Sequence, residues 1–261
     1  MFANYQQAGV LLPDMLCDAI VQACGEKLKF VHSDIDSLQS LNGRWHCLSG
    51  SVLVTEAKVL VMAGGNNINS YGLDINFPVE SVRGQVAELY TNKESKKIKK
   101  VINSDVYLTP ALRDRHYLGA TYSRNNFNLV VDPEENKRLL ESFDRVYGKV
   151  FNSDSVSNTW VGFRAMSKDR VPIVGAVPDQ KFFVEEYADI KHGRKNKSYN
   201  PAEYLDGLYI SAAHGSRGFT SSFLSAEIIA AQITGEPAPV SKRILGYLQP
   251  SRFIVNDLKR R

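Results

Sequence analysis

Cysteine is scarce: the 261 residues hold three, Cys17, Cys24 and Cys47, with no C-x-x-C pair and an odd one left over. That excludes a disulfide framework and predicts reduced thiols, and no metal site is expected. Cys17 and Cys24 lie seven apart in an expected helix, which predicts two small core residues on one face. No apolar run reaches the length of a membrane span and no charged-then-apolar leader is read, so the expectation is a soluble, cytoplasmic protein with no membrane partner. Neither sign of charge dominates. Thirty-two Lys and Arg stand against 28 Asp and Glu, a net charge of +4 that is compatible with a polyanionic partner without requiring one. The G-x-G-x-x-G turn is missing, which removes the usual pyrophosphate cradle of dinucleotide folds. With 43% hydrophobic and 23% charged residues, the chain is an ordinary globular sequence long enough for one large domain or two small ones.

What is present centres on the stretch from Leu205 to Thr220 and on to Gly235, which reads as strand, glycine turn and helix. Leu208 to Ala213 is apolar and small, like a buried strand, and Gly215 and Gly218 permit a tight turn and close approach to a ligand. Phe223, Leu224, Ala226, Ile228, Ile229, Ala231 and Ile233 then predict a long apolar helix, ended by Gly235 and Pro237. A helix starting at such a turn points free N–H groups and a positive dipole end forward. A phosphate, a carboxylate or a flavin carbonyl would each fit; the competing reading is plain packing of helix on sheet.

Upstream, helical periodicity runs from Leu12 to Cys24 and Gly25 supplies the stop. Leu28–His32, Ile35–Leu41, Trp45–Leu48 and Ser51–Thr55, separated by turn residues, predict a small antiparallel meander. Lys58 to Gly65 is an apolar strand running into glycines. Val79 to Tyr90 predicts a strand with polar groups on one face. Asn92 to Lys100 is read as a solvated hairpin tip, with tRNA contact the sharper alternative. Val106–Thr109 and His116–Tyr122 extend an antiparallel sheet, and Pro133–Phe151 predicts an amphipathic surface helix. Arg164 falls within an apolar strand and needs a partner, either an internal carboxylate or a ligand carboxylate held by its fork. His192 to Tyr199 predicts an exposed loop.

Four pieces, in order, resemble the D-amino-acid-oxidase-like family of FAD-dependent amine oxidoreductases, which includes glycine and sarcosine oxidases. They are Gly9–Pro13 before a helix, Val59–Gly64, Val82–Val86, and Gly162-Phe163-Arg164 through Asp169, Pro172 and Gly175. Further stretches are similar to a tRNA-modifying branch of that family, in which an oxidoreductase half is joined to a methyltransferase half: Leu108–Pro110, Gly119–Tyr122, Val171–Asp179, His214–Gly218 and Leu248–Phe253. The resemblance implies an α+β fold, with an incomplete FAD-binding α/β domain at residues 1–78 and 206–261 and an antiparallel-sheet substrate domain at 79–205. It implies FAD as cofactor and tRNA as partner. The implied reaction removes the carboxymethyl group from 5-carboxymethylaminomethyl-(2-thio)uridine at the wobble position, giving the aminomethyl form and glyoxylate. By matching position, Ile35 would lie beside the adenine and Ala63 and Gly64 near the pyrophosphate or ribose. Gly215, Ser216, Arg217, Gly218 and Phe219 would face the flavin's pyrimidine edge. Arg164 would be the catalytic residue that holds the substrate carboxylate, with Gln85 and Tyr122 in the pocket wall.

The family opens with a strand, a G-x-G-x-x-G turn and a helix, which this sequence lacks. Either a shortened or split enzyme or a fragment whose coding frame begins at an internal methionine is therefore expected, in both cases with weakened FAD binding and doubtful activity on its own, its partners being the missing N-terminal segment or a methyltransferase domain. Two alternatives remain. One is a small-molecule amine oxidase of the glycine or sarcosine kind. The other is a non-catalytic remnant that binds tRNA through Lys259, Arg260, Arg261 and the lysines of 93–100.

Overall fold

Proline, aspartate and glycine set the ends of the longer elements. The computed structural model describes residues 9–193 and 197–260. Pro13–Cys24 (α1) carries proline in its first turn, where an N–H would have no partner anyway, and stops at Gly25. Ser37–Leu41 (β1), Arg44–Ser49 (β2), Val52–Ala57 (β3) and Leu60–Met62 (β4) follow. Val79–Tyr90 (β5) leads to Ile102–Asn103 (β6), Tyr107–Leu108 (β7) and Arg115–Gly119 (β8). Pro133–Tyr147 (α2) is capped by Asp132, whose side chain accepts from the Glu134 N–H. The remainder is Val156–Ser167 (β9), Ile173–Pro178 (β10), Gln180–Glu186 (α3), Tyr204–Ala212 (β11), Gly218–Thr234 (α4), Lys242–Leu248 (α5) and Arg252–Arg260 (α6).

The chain divides into two compact units, one of Met1–His32 and Val82–Phe163, the other of Ser33–Ser81 and Arg164–Arg261. These boundaries differ from the expected 79–205 division. Residues following Phe163 cluster with the second unit because β10 pairs antiparallel with β11, Ile173 opposite Ala212.

In the first unit a sheet runs in the order β6-β7-β8-β5-β9. Ala87, Leu89, Leu108 and Leu118 form one face and pack with Leu139, Leu140 and Phe143 of α2 and with Phe151. Each buried Leu or Phe among them contributes about 1.5–3 kcal/mol. Strand alternation turns Val86, Glu88 and Tyr90 to the opposite face.

In the second unit β1, β2 and β3 form the expected meander. A second sheet has the order β10-β11-β4, with β11 and β4 parallel and Ile210 opposite Met62. Leu38, Trp45, Met62, Ile173, Leu208 and Ile210 share one core, and α4 seats Ile228 and Ile229 on Val174 of β10. Val59, just before β4, and Val61 within it are about 40% exposed.

Several expectations need correcting. Leu28–His32 forms no strand: Leu28, Phe30 and Val31 are all exposed, so no buried face drives one. Helix α1 buries none of its residues, which leaves Cys17 exposed and Cys24 half-buried, whereas Cys47 is buried. Helix α2 ends at Tyr147, short of Phe151, because Gly148 takes a φ of +99°. Residues 194–196 of the expected loop, residues 1–8 and Arg261 lie outside the described residues. Among the described residues no helix is long and apolar enough to cross a membrane, and no cluster of three or more His, Cys, Asp or Glu could hold a metal ion.

Candidate functional site

Because β4 and β11 are parallel, their carboxyl ends leave the sheet on the same edge. Ala63-Gly64 continues one and Ala213-His214-Gly215 the other, and strand ends of this kind open a crevice for ligands. At Gly64 an added Cβ would lie 1.9 Å from the Tyr71 hydroxyl, so only glycine admits the ring there. The turn after β11 is sharp, with φ of +58° at both Ala213 and Gly215. Gly218 serves a different end. Its φ of −52° is ordinary helix, and the nearest atom to an added Cβ is His214 Cβ at 3.9 Å, an ordinary van der Waals contact.

His214 fixes this turn, a role not foreseen from the sequence. Its Nε2 lies 3.1 Å from Ser211 Oγ and its Nδ1 2.8 Å from Ser221 Oγ. The Ser221 hydroxyl donates to the Arg217 carbonyl, so Nδ1 carries the proton and Nε2 accepts from Ser211. Burial lowers the His214 pKa and keeps the ring neutral, joining the end of β11 to the first turn of α4. The Ser211-x-x-His214 spacing with Ser221 ahead was the available signal. Neither His214 nor Arg217 caps the following turn with its side chain. The first N–H groups of α4 therefore lack intrahelical acceptors and carry the positive end of its dipole.

Met166 pairs with His214 across an isolated bridge, and its side chain is what an added Cβ at Gly215 would meet, at 3.3 Å. Arg164, half-buried, lies two residues earlier on the same face of β9. Ile35 packs against the core of Leu38, Trp45 and Cys47. The second unit thus holds Ile35, Ala63, Gly64, Arg164, Gly215, Ser216, Arg217, Gly218 and Phe219. Helix N–H groups without a side-chain cap and a glycine-only approach at Gly64 fit an anionic or electron-rich planar group. A separate cleft of about 690 Å³ in the same unit, lined by Asn69, Phe77, Lys168, Asp169 and Phe253 among others, includes none of these residues. Asp169 there is a structural fastener that accepts two hydrogen bonds, of 2.8 and 3.1 Å, from buried Arg252.

Gln85 and Tyr122 belong to the first unit. Gln85 is fully buried: its Oε1 accepts from Arg83 and the Asp132 N–H, and its Nε2 donates to Asp132 O and Asn136 Oδ1. With all four capacities used it cannot hold a ligand, in place of the expected wall position. Arg83 donates to the carbonyls of Asn128 and Val130 and pairs with buried Glu135, which also accepts from Thr121 and Ser123. This network fastens the segment 121–132, which presents Tyr122 half exposed.

The family described as DAO, FAD dependent oxidoreductase, matches residues 3–232. The tRNA 5-methylaminomethyl-2-thiouridine biosynthesis bifunctional protein MnmC of Leptospira interrogans is 31% identical over 255 residues, covering 93% of this chain and 39% of the relative. The protein of the same name from Pseudomonas putida is 29% identical over 263 residues, covering 98% of this chain and 40% of its own length. The chain therefore spans about two fifths of these relatives. Among solved structures, glycine oxidase from Geobacillus kaustophilus superposes with a TM-score of 0.63 at 17% identity, covering 84% of this chain and 52% of that one. Iminodiacetate oxidase from Chelativorans sp. BNC1 gives 0.63 at 22% identity, covering 82% and 52%. At these identities the likeness is one of fold.

Proposed function

Because the chain belongs to the FAD-dependent oxidoreductase family, we propose that it is the amine-oxidising part of a protein that modifies the wobble uridine of tRNA. The reaction is oxidative removal of the carboxymethyl group from 5-carboxymethylaminomethyl-(2-thio)uridine, giving the aminomethyl form and glyoxylate. One observation carries this reading: relatives named for biosynthesis of that class of nucleoside match 93% and 98% of the chain. The D-amino-acid-oxidase-like α+β fold agrees with it.

The substrate arm is a secondary amine bearing CH2–COO⁻, an N-substituted glycine. Its methylene loses a hydride and its nitrogen a proton, forming C=N; water adds, the C–N bond breaks and glyoxylate leaves. FAD, when bound, supplies the two-electron acceptor. Arg164 is the catalytic residue in this reading. Its fork holds the carboxylate by two hydrogen bonds and so fixes the adjacent methylene. The turn from Gly215 to Phe219 would hold the flavin's pyrimidine edge and favour negative charge there through the backbone donors of Gly215, Ser216, Gly218 and Phe219; the Arg217 N–H donates to the His214 carbonyl, so Arg217 would contribute its side-chain charge. Ala63 and Gly64 would approach the pyrophosphate or ribose and Ile35 the adenine. A methyltransferase domain is the partner that would complete the methylaminomethyl group.

The test adds FAD to the purified chain, removes the excess, records the visible spectrum and then measures glyoxylate released from tRNA carrying the arm. Retained flavin bands and glyoxylate release are expected. Arg164→Lys should keep the bands and slow release about a hundredfold, the cost of a misplaced substrate. Free sarcosine turned over as fast as the tRNA would replace tRNA by a small amine, and no glyoxylate at saturating FAD would refute the assignment for this chain.

A further inference from the structure

We propose that the open face of the five-stranded sheet in the first unit is a stacking platform for unpaired RNA bases, with the lysine turn at its end binding the backbone phosphates. The identity of the RNA rests on the tRNA reading above. The surface itself is built from residues that the oxidation does not use.

Register defines the face. Val86 lies opposite Gly119, Glu88 opposite Tyr117 and Tyr90 opposite Arg115, and Tyr107 is also opposite Gly119 on the next strand. Residues directly opposite share a face, so Tyr90, Tyr107 and Tyr117 point away from α2. On β9, Thr159 accepts from Asn136 of α2, so its neighbour Trp160 points to the open face. Tyr90 is 49% and Trp160 59% exposed. Gly119 lets one ring lie flat: an added Cβ would be 2.7 Å from the Tyr107 hydroxyl. The Arg115 guanidinium sits over the Tyr90 ring at 4.2 Å and neutralises Glu88, the acid on this face, at 3.1 Å.

Aromatic rings on an open sheet are the sequence-tolerant way to hold unpaired bases, and Arg planes stack in the same manner. The phosphate side is adjacent. β5 runs from Tyr90 directly into Lys93, Lys96, Lys97, Lys99 and Lys100, all exposed, with Glu94 the one acid among them. This turn is held in shape, since Asn92 Oδ1 accepts from the Glu94 and Ser95 N–H groups. A Lys96–Asp114 contact of 3.0 Å ties it beside Arg115. A basic rim next to flat rings complements a polyanion with splayed bases better than it does an aliphatic protein surface.

The test measures anisotropy of a fluorescein-labelled single-stranded oligouridylate together with tryptophan emission of the full chain; no FAD is needed. Trp45 is 5% exposed, so quenching reports Trp160. Single strands should bind and quench, and Tyr90→Ala and Trp160→Ala should each weaken binding about tenfold while Tyr90→Phe retains it. Lys93→Ala with Lys99→Ala should lower the salt slope by about 0.7 per lysine. Duplex RNA should neither quench nor respond to ring removal. Unchanged binding in both ring variants, with circular dichroism intact, would overturn the platform and leave a plain polyanion patch. Phosphatidylserine vesicles that quench Trp160 and displace the oligonucleotide would overturn it in favour of a membrane-facing surface. Oligonucleotide binding without glyoxylate release would sink the oxidase reading alone; release without such binding would sink the platform alone.

Discussion

Replacing Glu135 by alanine should be the most damaging single change in the first unit. Arg83 is 1% exposed and Glu135 4%, and the carboxylate also accepts from the hydroxyls of Thr121 and Ser123. Its removal strands a buried guanidinium and two hydroxyls, whereas an exposed pair such as Lys97–Glu94 contributes at most about 1 kcal/mol. Breaking a buried pair costs about 3–5 kcal/mol. With a urea slope of about 2 kcal/mol per molar, the midpoint should fall by about 1.5–2.5 M. Unfolding is followed by Trp160 emission in a Trp45→Phe background, so that the signal comes from the first unit alone. The paired change Arg83→Met with Glu135→Leu should recover only part of the loss: no charge is then left buried, but the hydroxyls of Thr121 and Ser123 and the carbonyls of Asn128 and Val130 stay without these partners. A midpoint shift below about 0.5 M for Glu135→Ala would refute the argument, since that is what an exposed pair gives.

Two further outcomes are expected. Gly64→Ala should cost about 1–3 kcal/mol by driving a Cβ into the Tyr71 hydroxyl and should lower flavin retention; adding Tyr71→Phe should relieve it in part, because the ring carbon Cζ would still lie at 2.9 Å. The other is a loss of stability in mild acid. Burial lowers the pKa of His116, outweighing its bond to the Thr109 carbonyl, and burial also lowers that of His214. The unfolded chain takes up these protons near pH 6.5 and the folded chain does not, so their contribution is complete above that pH and is lost as the pH falls below it. Urea midpoints should therefore drop between pH 7.5 and 5.5, less so in His116→Leu, and a flat profile would contradict the burial argument. Asp169 acts only in stronger acid. Burial pushes its pKa up, but hydrogen bonds from Arg252, Ser167 and the Val171 N–H prevail and hold it below the usual carboxylate value.

Elements with local punctuation were legible in the sequence. Pro13 and Gly25 bracket α1, Asp132-Pro133 opens α2, and Gly235 closes α4 with φ of +75°. The polar face of β5 was legible as well, but its purpose was not. Arg83 reaches Glu135 across 52 positions, and nothing in the spacing of Arg83 and Gln85 distinguishes a ligand wall from a buried fastener. Ring contacts hide in the same way. Tyr71 comes to rest on Gly64 through an irregular connection with no periodicity to read, and the Tyr107–Gly119 fit depends on sheet register. The Arg164 signature was visible because it is local; its closeness to the glycine turn comes from the bridge between Met166 and His214.

The parallel pairing of β4 with β11 also fixes the order of events during synthesis. Leu60 and Leu208 are partners about 150 residues apart, whereas β5, β8 and α2 meet within one continuous stretch. At ribosomal speed the valines at β4 wait on the order of ten seconds for their neighbour, while the intervening segment can already collapse. Such non-local closure is slow, and an apolar strand without its partner is prone to pair with another chain. The crevice made from both strand ends therefore cannot form until β11 has been made, and under the proposed function cofactor capture would report on the completed pairing of β4 with β11 rather than aid it.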